Sequence, residues 1–161
     1  SKMTIVGSRE SIRKAKNYIV DYISPPLRGI EIKNLMDKIP TRLEGKVEKG
    51  WGFELIWATN DKYCGKLMFF DKKGSKFSMH FHSEKDESWY VLKGSFMLNV
   101  INTQNAEPAM QVLKQGDTWH NPPMLPHQLV AMENDCIIIE VSTPDSVEDN
   151  YRIGRGDSQK S

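Results

Sequence analysis

Long apolar segments are absent from this sequence. No run approaches the roughly 18 consecutive apolar residues that a membrane-spanning helix needs. The start of the chain also lacks a charged segment followed by a short apolar stretch, which is the pattern of a signal peptide. We therefore predict a cytoplasmic protein that does not associate with a membrane.

Cysteines are scarce, and neither sign of charge is in excess. The two cysteines, Cys64 and Cys136, are too few for a disulfide framework or a zinc knuckle. We interpret both as free thiols in a reducing compartment, with a single disulfide between them as the alternative. Lys and Arg total 22 against 21 Asp and Glu, a net charge of +1, so no basic surface for nucleic acid is expected.

Residues 1–45 differ in pattern from the rest of the 161-residue chain. Apolar residues recur at helical spacing over residues 8–23 and again over residues 30–39, and prolines follow both segments. We predict two short α-helices that form an N-terminal extension. They could begin a helix-turn-helix motif, but packing against the rest of the chain or a second copy is favoured, which predicts a homodimer.

Residues 46–144 predict a β domain. Short apolar or alternating runs are separated by turn sequences, and they predict strands at 53–58, 65–70, 76–82, 87–93, 95–102, 110–113, 118–121, 127–132 and 136–142. Short, evenly spaced strands are typical of an all-β sandwich or barrel. Residues 145–161 form a polar C-terminal tail, which we expect to be loose from Gly154 onward.

All four histidines of the chain fall in the predicted β domain. His80 and His82 lie two residues apart on a predicted strand, so both imidazoles leave the same face, roughly 6.5–7 Å apart at Cα. A four-residue hairpin loop then returns Glu87 to the side of His82. His127 follows a proline-rich loop that can hold it in one place.

Three imidazoles and one carboxylate predict a site for a divalent transition metal. This donor set suits Fe²⁺, Mn²⁺, Ni²⁺ or Zn²⁺ better than Mg²⁺ or Ca²⁺, and the sequence leaves the choice among the four open. Octahedral coordination would leave two adjacent positions for substrate or water. A lone His-x-His pair is usually surface decoration, but the added glutamate and distant histidine favour a metal site. His120 lies either near this site or on the surface.

The spacing of these residues resembles the first motif of the cupin superfamily. That motif reads glycine, five residues, His-x-His, three or four residues, glutamate, six residues, glycine. The sequence matches it with Gly74, His80, His82, Glu87 and Gly94.

The second cupin motif is matched in part. Gly116, Pro122 and His127 occupy their places in it, whereas Met124 replaces a glycine and Ala131 an asparagine. The resemblance covers residues 46–143. It implies a double-stranded β-helix, or jelly-roll barrel, with a metal held inside by the three histidines and the glutamate named above.

Two shorter segments are similar to mannose-6-phosphate isomerase-type cupins. Residues 49–54 resemble the Lys-Pro-Trp-Gly-x-Glu segment of that group, with Gly50 in place of proline. Residues 139–144, followed by Glu148, Asp149 and Arg152, are similar to its C-terminal stretch. These matches imply a phosphosugar isomerase-like protein.

Further side chains are predicted to line the cavity. Alternation along barrel strands directs Ser78 and Trp89 inward, and they are candidate substrate-binding residues together with Lys49. The facing of Lys66 and Glu140 is open. If both point inward, they are candidate catalytic acid–base groups, because a buried charge without a partner or a role is costly. The alternatives are a solvated lysine and an ion-pair partner.

Three functions are compatible with this site. The favoured one is a metal-dependent isomerase or epimerase that acts on a small sugar or sugar phosphate through an enediolate stabilised by the metal. The second is an Fe²⁺ dioxygenase, which uses the same ligand set. The third is a non-catalytic domain that binds a saccharide or another metabolite.

Overall fold

The computed structural model describes residues 8, 10 and 45–159. The chain divides into two units, Ser1–Arg42 and Leu43–Ser161, and the description below concerns the second. Apart from residues 8 and 10, the two predicted N-terminal helices lie outside the described residues. No helix within the described ranges is long and apolar enough to cross a membrane.

Residues 45–159 are built from strands and one turn of 3₁₀ helix. The strands are β1 (Lys46–Lys49), β2 (Gly52–Thr59), β3 (Cys64–Phe70), β4 (Met79–Phe81), β5 (Glu87–Lys93), β6 (Ser95–Ile101), β7 (Pro108–Lys114), β8 (Thr118–Asn121), β9 (His127–Ala131), β10 (Cys136–Ser142) and β11 (Tyr151–Gly154), and the 3₁₀ helix is Asp157–Gln159. The predicted all-β fold is confirmed.

The strands form two antiparallel sheets. One contains six strands in the order β1-β2-β3-β10-β5-β8, and the other contains five in the order β11-β4-β9-β6-β7. Strands that are distant in sequence are neighbours in both sheets, for example β3 beside β10 and β4 beside β9. This crossing of the chain between the sheets brings residues near positions 66, 80, 127 and 140 to one interior.

The hydrophobic core lies between the two sheets. Phe70 of β3 meets Phe96 of β6 edge to face, with ring centroids 5.0 Å apart, and both rings are fully buried. Leu129 of β9 and Ile138 of β10 are also fully buried. Burying side chains of this size contributes about 1.5–3 kcal/mol each, so the core fixes the sheets that carry the site.

The predicted strand bounds agree best where apolar residues alternate. β5, β8 and β10 coincide with their predicted ranges. The predicted strand 76–82 is shorter, since β4 covers only Met79–Phe81. The preceding segment is held differently, because the backbone N–H of Lys76 donates to the Asp157 carboxylate at 2.8 Å.

The expectation of a loose chain end from Gly154 is wrong as far as Gln159. β11 pairs with β4, and the Asp157 N–H donates to the Lys76 carbonyl at 3.0 Å. The Ser158 hydroxyl accepts a hydrogen bond of 3.0 Å from the Gly50 N–H. Polar residues here bind backbone groups of distant strands, so polarity alone does not predict a free tail.

Met124, in the place of the cupin-motif glycine, adopts a left-handed backbone conformation with φ of 68°. Its side chain is 53% exposed, and its N–H donates to the His82 carbonyl at 2.7 Å. A residue with a side chain adopts this conformation at a cost of roughly 1–2 kcal/mol, which glycine avoids. Glycine loses about 0.5–1 kcal/mol of this advantage because its unfolded state has more conformational entropy. The loop that presents His127 is therefore strained at this point.

We expect Met124→Gly to raise the free energy of unfolding by about 0.5–1 kcal/mol, because it removes this strain with little loss of burial. Urea denaturation measures the change. Met110, which is 73% exposed on β7, is the matched control, and its replacement by glycine should lower stability by about 1 kcal/mol. Destabilisation of both variants would contradict the argument.

Candidate metal centre

Three histidines meet between the sheets. His80 of β4 lies opposite His127 of β9 in register, with ring centroids 4.6 Å apart. His82, just beyond β4, lies on the same side as His80, at 5.1 Å between centroids. The three residues offer ligand nitrogens that all lie within 4.8 Å of one another. The predicted grouping of these histidines is present in the structure.

Hydrogen bonds to carbonyls fix the tautomers of two of these rings. His80 Nδ1 lies 2.8 Å from the Ser78 carbonyl oxygen, and His127 Nδ1 lies 2.9 Å from that of Leu125. A carbonyl oxygen only accepts, so each Nδ1 carries the proton and donates it. Each Nε2 therefore keeps its lone pair, which is the form that binds a metal ion.

His82 is oriented in the same way by a segment far along the chain. Its Nδ1 donates to the carbonyl oxygen of Asp149. The Asp149 carboxylate accepts hydrogen bonds from the Ser83 N–H and hydroxyl, both at 2.6 Å, from the Glu84 N–H at 3.1 Å and from the Lys85 N–H at 2.9 Å. Asp149 thus ties the loop after His82 to the carbonyl that orients the ring.

We expect Asp149→Ala to weaken metal binding by about tenfold, the usual effect of losing a group that orients a ligand histidine. Competition with a chromophoric chelator measures the affinity. Glu148→Ala is the matched control, because the neighbouring Glu148 carboxylate is exposed and accepts a hydrogen bond from Ser146. Equal metal affinity in the two variants would show that Asp149 does not position His82.

The surroundings of all three rings favour the neutral form. Removal from water lowers the pKa of His80 to about 3, and the neighbouring His127 adds to the effect. Burial likewise lowers the pKa of His127 to about 3 and lowers the pKa of His82. Neutral imidazoles are what a metal ion requires, so the pocket needs no proton loss from them when it binds one.

Glu87 lies beside two of the histidines but outside the compact group of three. Its Oε1 is 3.5 Å from His82 Nε2, and its Oε2 is 3.4 Å from His127 Nε2. Glu87 Oε2 and His127 Nε2 are buried, and neither has a hydrogen-bond partner within residues 45–159. Two facing lone-pair atoms of this kind call for a cation, so the donor set fits a divalent transition metal.

Burial also affects the carboxyl group of Glu87 itself. Removal from water, together with the nearby Glu140 carboxylate, raises the pKa of Glu87 to about 8. A positive charge at the three histidines would relieve both effects, which is a second reason why this group of side chains suits a metal ion.

Lys85 is a component of the site that the sequence does not predict. Its ammonium group is 2.6 Å from Glu87 Oε1, 2.9 Å from Glu140 Oε1 and 3.0 Å from Asp145 Oδ1. Lys85 is only 4% exposed. Burial opposes its charge, but the carboxylates of Glu140 and Glu87 raise the pKa of Lys85. A lysine in a hairpin loop is normally solvated, so no local signal marks it.

Lys66 and Glu140 both point inward, which settles the facing left open by the sequence. They are register partners on β3 and β10, and both are buried. Lys66 Nζ donates to Asp145 Oδ2 at 2.7 Å, and Glu140 Oε2 accepts from Trp89 Nε1 at 3.2 Å. Burial opposes ionisation of Glu140, but the charges of Lys85 and Lys66 lower its pKa. Both residues therefore carry charge inside the barrel.

A cavity of about 240 Å³ opens beside these groups. The metal-site residues His80, His82 and Glu87 form part of its wall, and the other predicted residues that line it are Lys49, Lys66, Ser78, Trp89 and Glu140. This volume is sufficient for several water molecules or one small metabolite. His120 instead lies on the surface, 2.9 Å from the Asp86 carboxylate.

Because of Asp145, the stability of the fold depends on pH in the acidic range. Burial would raise its pKa, but Lys85 and Lys66 lower the pKa of Asp145 to about 2, from 3.8. A lowered pKa stabilises the fold above about pH 4, and this contribution is lost as the pH falls toward 2. The shift corresponds to about 2.4 kcal/mol. Roughly 1 kcal/mol remains after allowance for solvent screening, because the side chain is 32% exposed.

We therefore expect Asp145→Asn to lose about 1 kcal/mol of stability at pH 7 and progressively less as the pH falls toward 2. Urea denaturation at a series of pH values measures the difference from the unmodified protein. The control is Asp61→Asn, since Asp61 is exposed. A difference independent of pH would exclude this ionic contribution.

Comparison with known proteins identifies the kind of domain. The sequence model of the family described as Cupin matches residues 65–154. No curated protein sequence matches the chain.

Several solved structures are similar to the chain in three dimensions. KdgF from Halomonas sp. has a TM-score of 0.51 at 23% identity, over 71% of this chain and 93% of its own. The capsular polysaccharide assembling protein CapF from Staphylococcus aureus has a TM-score of 0.68 at 14% identity, over 90% and 46%. Oxalate decarboxylase from Bacillus subtilis has a TM-score of 0.58 at 18% identity, over 95% and 40%.

The chain thus spans less than half the length of the last two structures. At these identities the likeness shows a common fold. The chemistry of this chain has to be argued from its own side chains.

Proposed function

Because the chain belongs to the cupin family, we propose that its metal centre serves an enzyme that isomerises or epimerises a small sugar or sugar phosphate. The main support is a pair of buried atoms, Glu87 Oε2 and His127 Nε2, which face each other at 3.4 Å and have no hydrogen-bond partner in the described part of the chain. A cavity of metabolite size opens beside them and is lined by charged side chains.

His80, His82, His127 and Glu87 would hold the ion in this proposal. A bound divalent transition metal supplies a Lewis acid that polarises a substrate carbonyl and the adjacent hydroxyl group. The identity of the metal, among zinc, manganese, iron and nickel, is part of what experiment must determine.

Glu140 is the proposed base. Lys85 holds its Oε1 and Trp89 its Oε2, so the carboxylate has a fixed position in the cavity wall. The carboxylate takes a proton from the carbon next to the substrate carbonyl. For isomerisation it returns the proton to the former carbonyl carbon, while the hydroxyl proton moves to the former carbonyl oxygen, so no co-reactant is consumed. For epimerisation a second acid has to protonate the opposite face, and Lys66 is the candidate; proton exchange with solvent then restores both groups.

The other cavity residues bind and orient the substrate in this scheme. Ser78 and Trp89 are buried beside the histidines, and Lys49, at the cavity wall, is 3.4 Å from Glu54. Lys66 is placed to stabilise negative charge, since it is buried and lines the cavity.

Deuterium exchange tests the proposed function. The protein loaded in turn with Zn²⁺, Mn²⁺, Fe²⁺ or Ni²⁺ is incubated in deuterated water with aldoses, ketoses and their phosphates. NMR should detect deuterium at the carbon next to the carbonyl. Glu140→Gln should slow this exchange by a factor of about 10² or more, while His120→Gln should leave it unchanged. Absence of exchange with every metal would refute the proposal.

The same ligand set supports one alternative, an Fe²⁺ dioxygenase, because three histidines and a glutamate suit iron. Oxygen uptake in the Fe²⁺-loaded samples, without deuterium exchange, would favour it. A non-catalytic binding domain would instead bind a saccharide with neither reaction.

Homodimer formation and a cytoplasmic location remain part of the proposal, and light scattering on the purified protein tests the first.

A further inference from the structure

Two buried lysines in the cavity wall hold one carboxylate. Asp145 Oδ2 lies 2.7 Å from Lys66 Nζ, and its Oδ1 lies 3.0 Å from Lys85 Nζ. Lys66 is 6% exposed and Lys85 is 4% exposed, whereas the Asp145 side chain is 32% exposed. The two lysines therefore form a buried binding site for an oxyanion. The Asp145 carboxylate occupies this site and approaches it from the solvent side.

Asp145 belongs to a surface segment, residues 143–149, which we call the strap. Both ends of the strap are attached to the loop of residues 83–86. Thr143 exchanges two hydrogen bonds of 3.0 Å with Asp86, and Asp149 accepts the bonds described above. Between these ends residues 144–148 are exposed, and Val147 is 87% exposed. The bonds at the two ends are made by Thr143 and Asp149, so they do not depend on the Asp145 carboxylate.

The charges around the cavity favour an anion from outside. With a divalent cation on the histidines, the ion, Lys66 and Lys85 supply four positive charges, and the carboxylates of Glu87, Glu140 and Asp145 supply three negative ones. The sum is +1, and withdrawal of Asp145 changes it to +2. Glu87 and Glu140, each 3% exposed, cannot reach solvent without opening the barrel, so Asp145 is the carboxylate that can be exchanged.

We propose that Lys66 and Lys85 form an oxyanion subsite that Asp145 fills in the free protein and that a carboxylate or phosphate group of the substrate takes over. The subsite follows from the contacts of these three residues. Only the statement that the anion belongs to a sugar derivative depends on the proposed function. Asp145 then acts as an internal competitor, and the strap opens when the substrate anion replaces it.

Titration with inorganic phosphate tests the subsite. Isothermal calorimetry on the Zn²⁺-loaded protein should show that Asp145→Ala binds phosphate about tenfold or more tightly than the unmodified protein, because no internal carboxylate competes for the charged donors. Glu148→Ala, which changes an exposed carboxylate of the same strap, should bind phosphate as the unmodified protein does.

The double variant Asp145→Ala with Lys66→Met distinguishes phosphate binding at the subsite from phosphate binding at the metal ion. Phosphate that binds the zinc ion alone would be unaffected by Lys66, so loss of the tenfold gain in this variant supports the subsite. Removing both partners of one ion pair leaves no unpaired charge between them. If Asp145→Ala folds poorly, as judged by thermal melting, Asp145→Asn replaces it, with a smaller gain expected in the same direction.

Unchanged or weaker phosphate binding by the folded Asp145 variants would overturn the proposal and leave Asp145 a structural counter-ion. A hexose 6-phosphate, a hexuronate and a neutral hexose then distinguish the source of the anion, since the correct charged ligand should gain affinity in Asp145→Ala and the neutral hexose should not. Gain of phosphate affinity without deuterium exchange on any sugar would leave the subsite standing and refute only the proposed function.

Discussion

Replacing His127 with glutamine is expected to lower the affinity for a divalent transition metal by at least about a hundredfold. Groups that merely orient a metal ligand contribute about 10- to 100-fold in affinity, and His127 offers the ligand atom itself. Its Nε2 is buried opposite Glu87 Oε2, and none of the described residues gives it a hydrogen-bond partner. Glutamine has a similar length but lacks the neutral imidazole nitrogen, so the remaining donors would hold an ion weakly.

The measurement is metal content after purification without an affinity-metal column, followed by competition against a chelator. His120→Gln is the matched control, because the same substitution is made at an exposed histidine that contacts Asp86. It should bind metal as the unmodified protein does. If His127→Gln retains its metal and His120→Gln does not, the assignment of the site is wrong.

The grouping of the three histidines with Glu87 is the part of the candidate site that the sequence predicts well. His80 and His82 share a face because strand side chains alternate, and a short loop returns Glu87 to His82, at 3.5 Å. The identity and spacing of these residues are sufficient for this result. The position of His127 opposite His80 depends on the pairing of distant strands, which the resemblance to cupins implies and local patterns do not.

Local sequence patterns do not predict the charged network behind these residues. Asp145 is 79 residues from Lys66 in sequence, Asp149 is 66 from Ser83, and Glu140 is 55 from Lys85. Each of these side chains is in a polar segment or on a strand whose facing the sequence leaves open. Their pairing is decided by how the sheets close around the cavity, and no pattern of period two encodes it.

The two unpredicted strands have a similar explanation. In both β1 and β11 three of the four residues are exposed, so neither strand has the buried alternation that reveals β5. β11 is nevertheless held to β4 by backbone pairing, with Arg152 opposite His80. Strands stabilised mainly by their backbone leave little trace in the order of apolar and polar residues.

Lys85→Met is expected to lower the free energy of unfolding by about 3–5 kcal/mol at pH 7, because it removes the ammonium group that pairs with the buried Glu140 carboxylate and contacts Glu87. Both are 3% exposed, so water cannot replace the ammonium group. The loss should shrink as the pH falls, since protonation of these carboxyl groups removes the unpaired charge. Urea denaturation at several pH values measures both effects.

A bound metal ion should restore part of this stability, because it supplies positive charge to Glu87 in place of the ammonium group 2.6 Å away. Lys93→Met is the control: Lys93 is exposed at the end of β5, and its replacement should change stability by no more than about 0.5 kcal/mol. If the two variants were equally stable without metal, the carboxylates would have to be solvated or protonated. The charge balance from which the oxyanion subsite is argued would then fail as well.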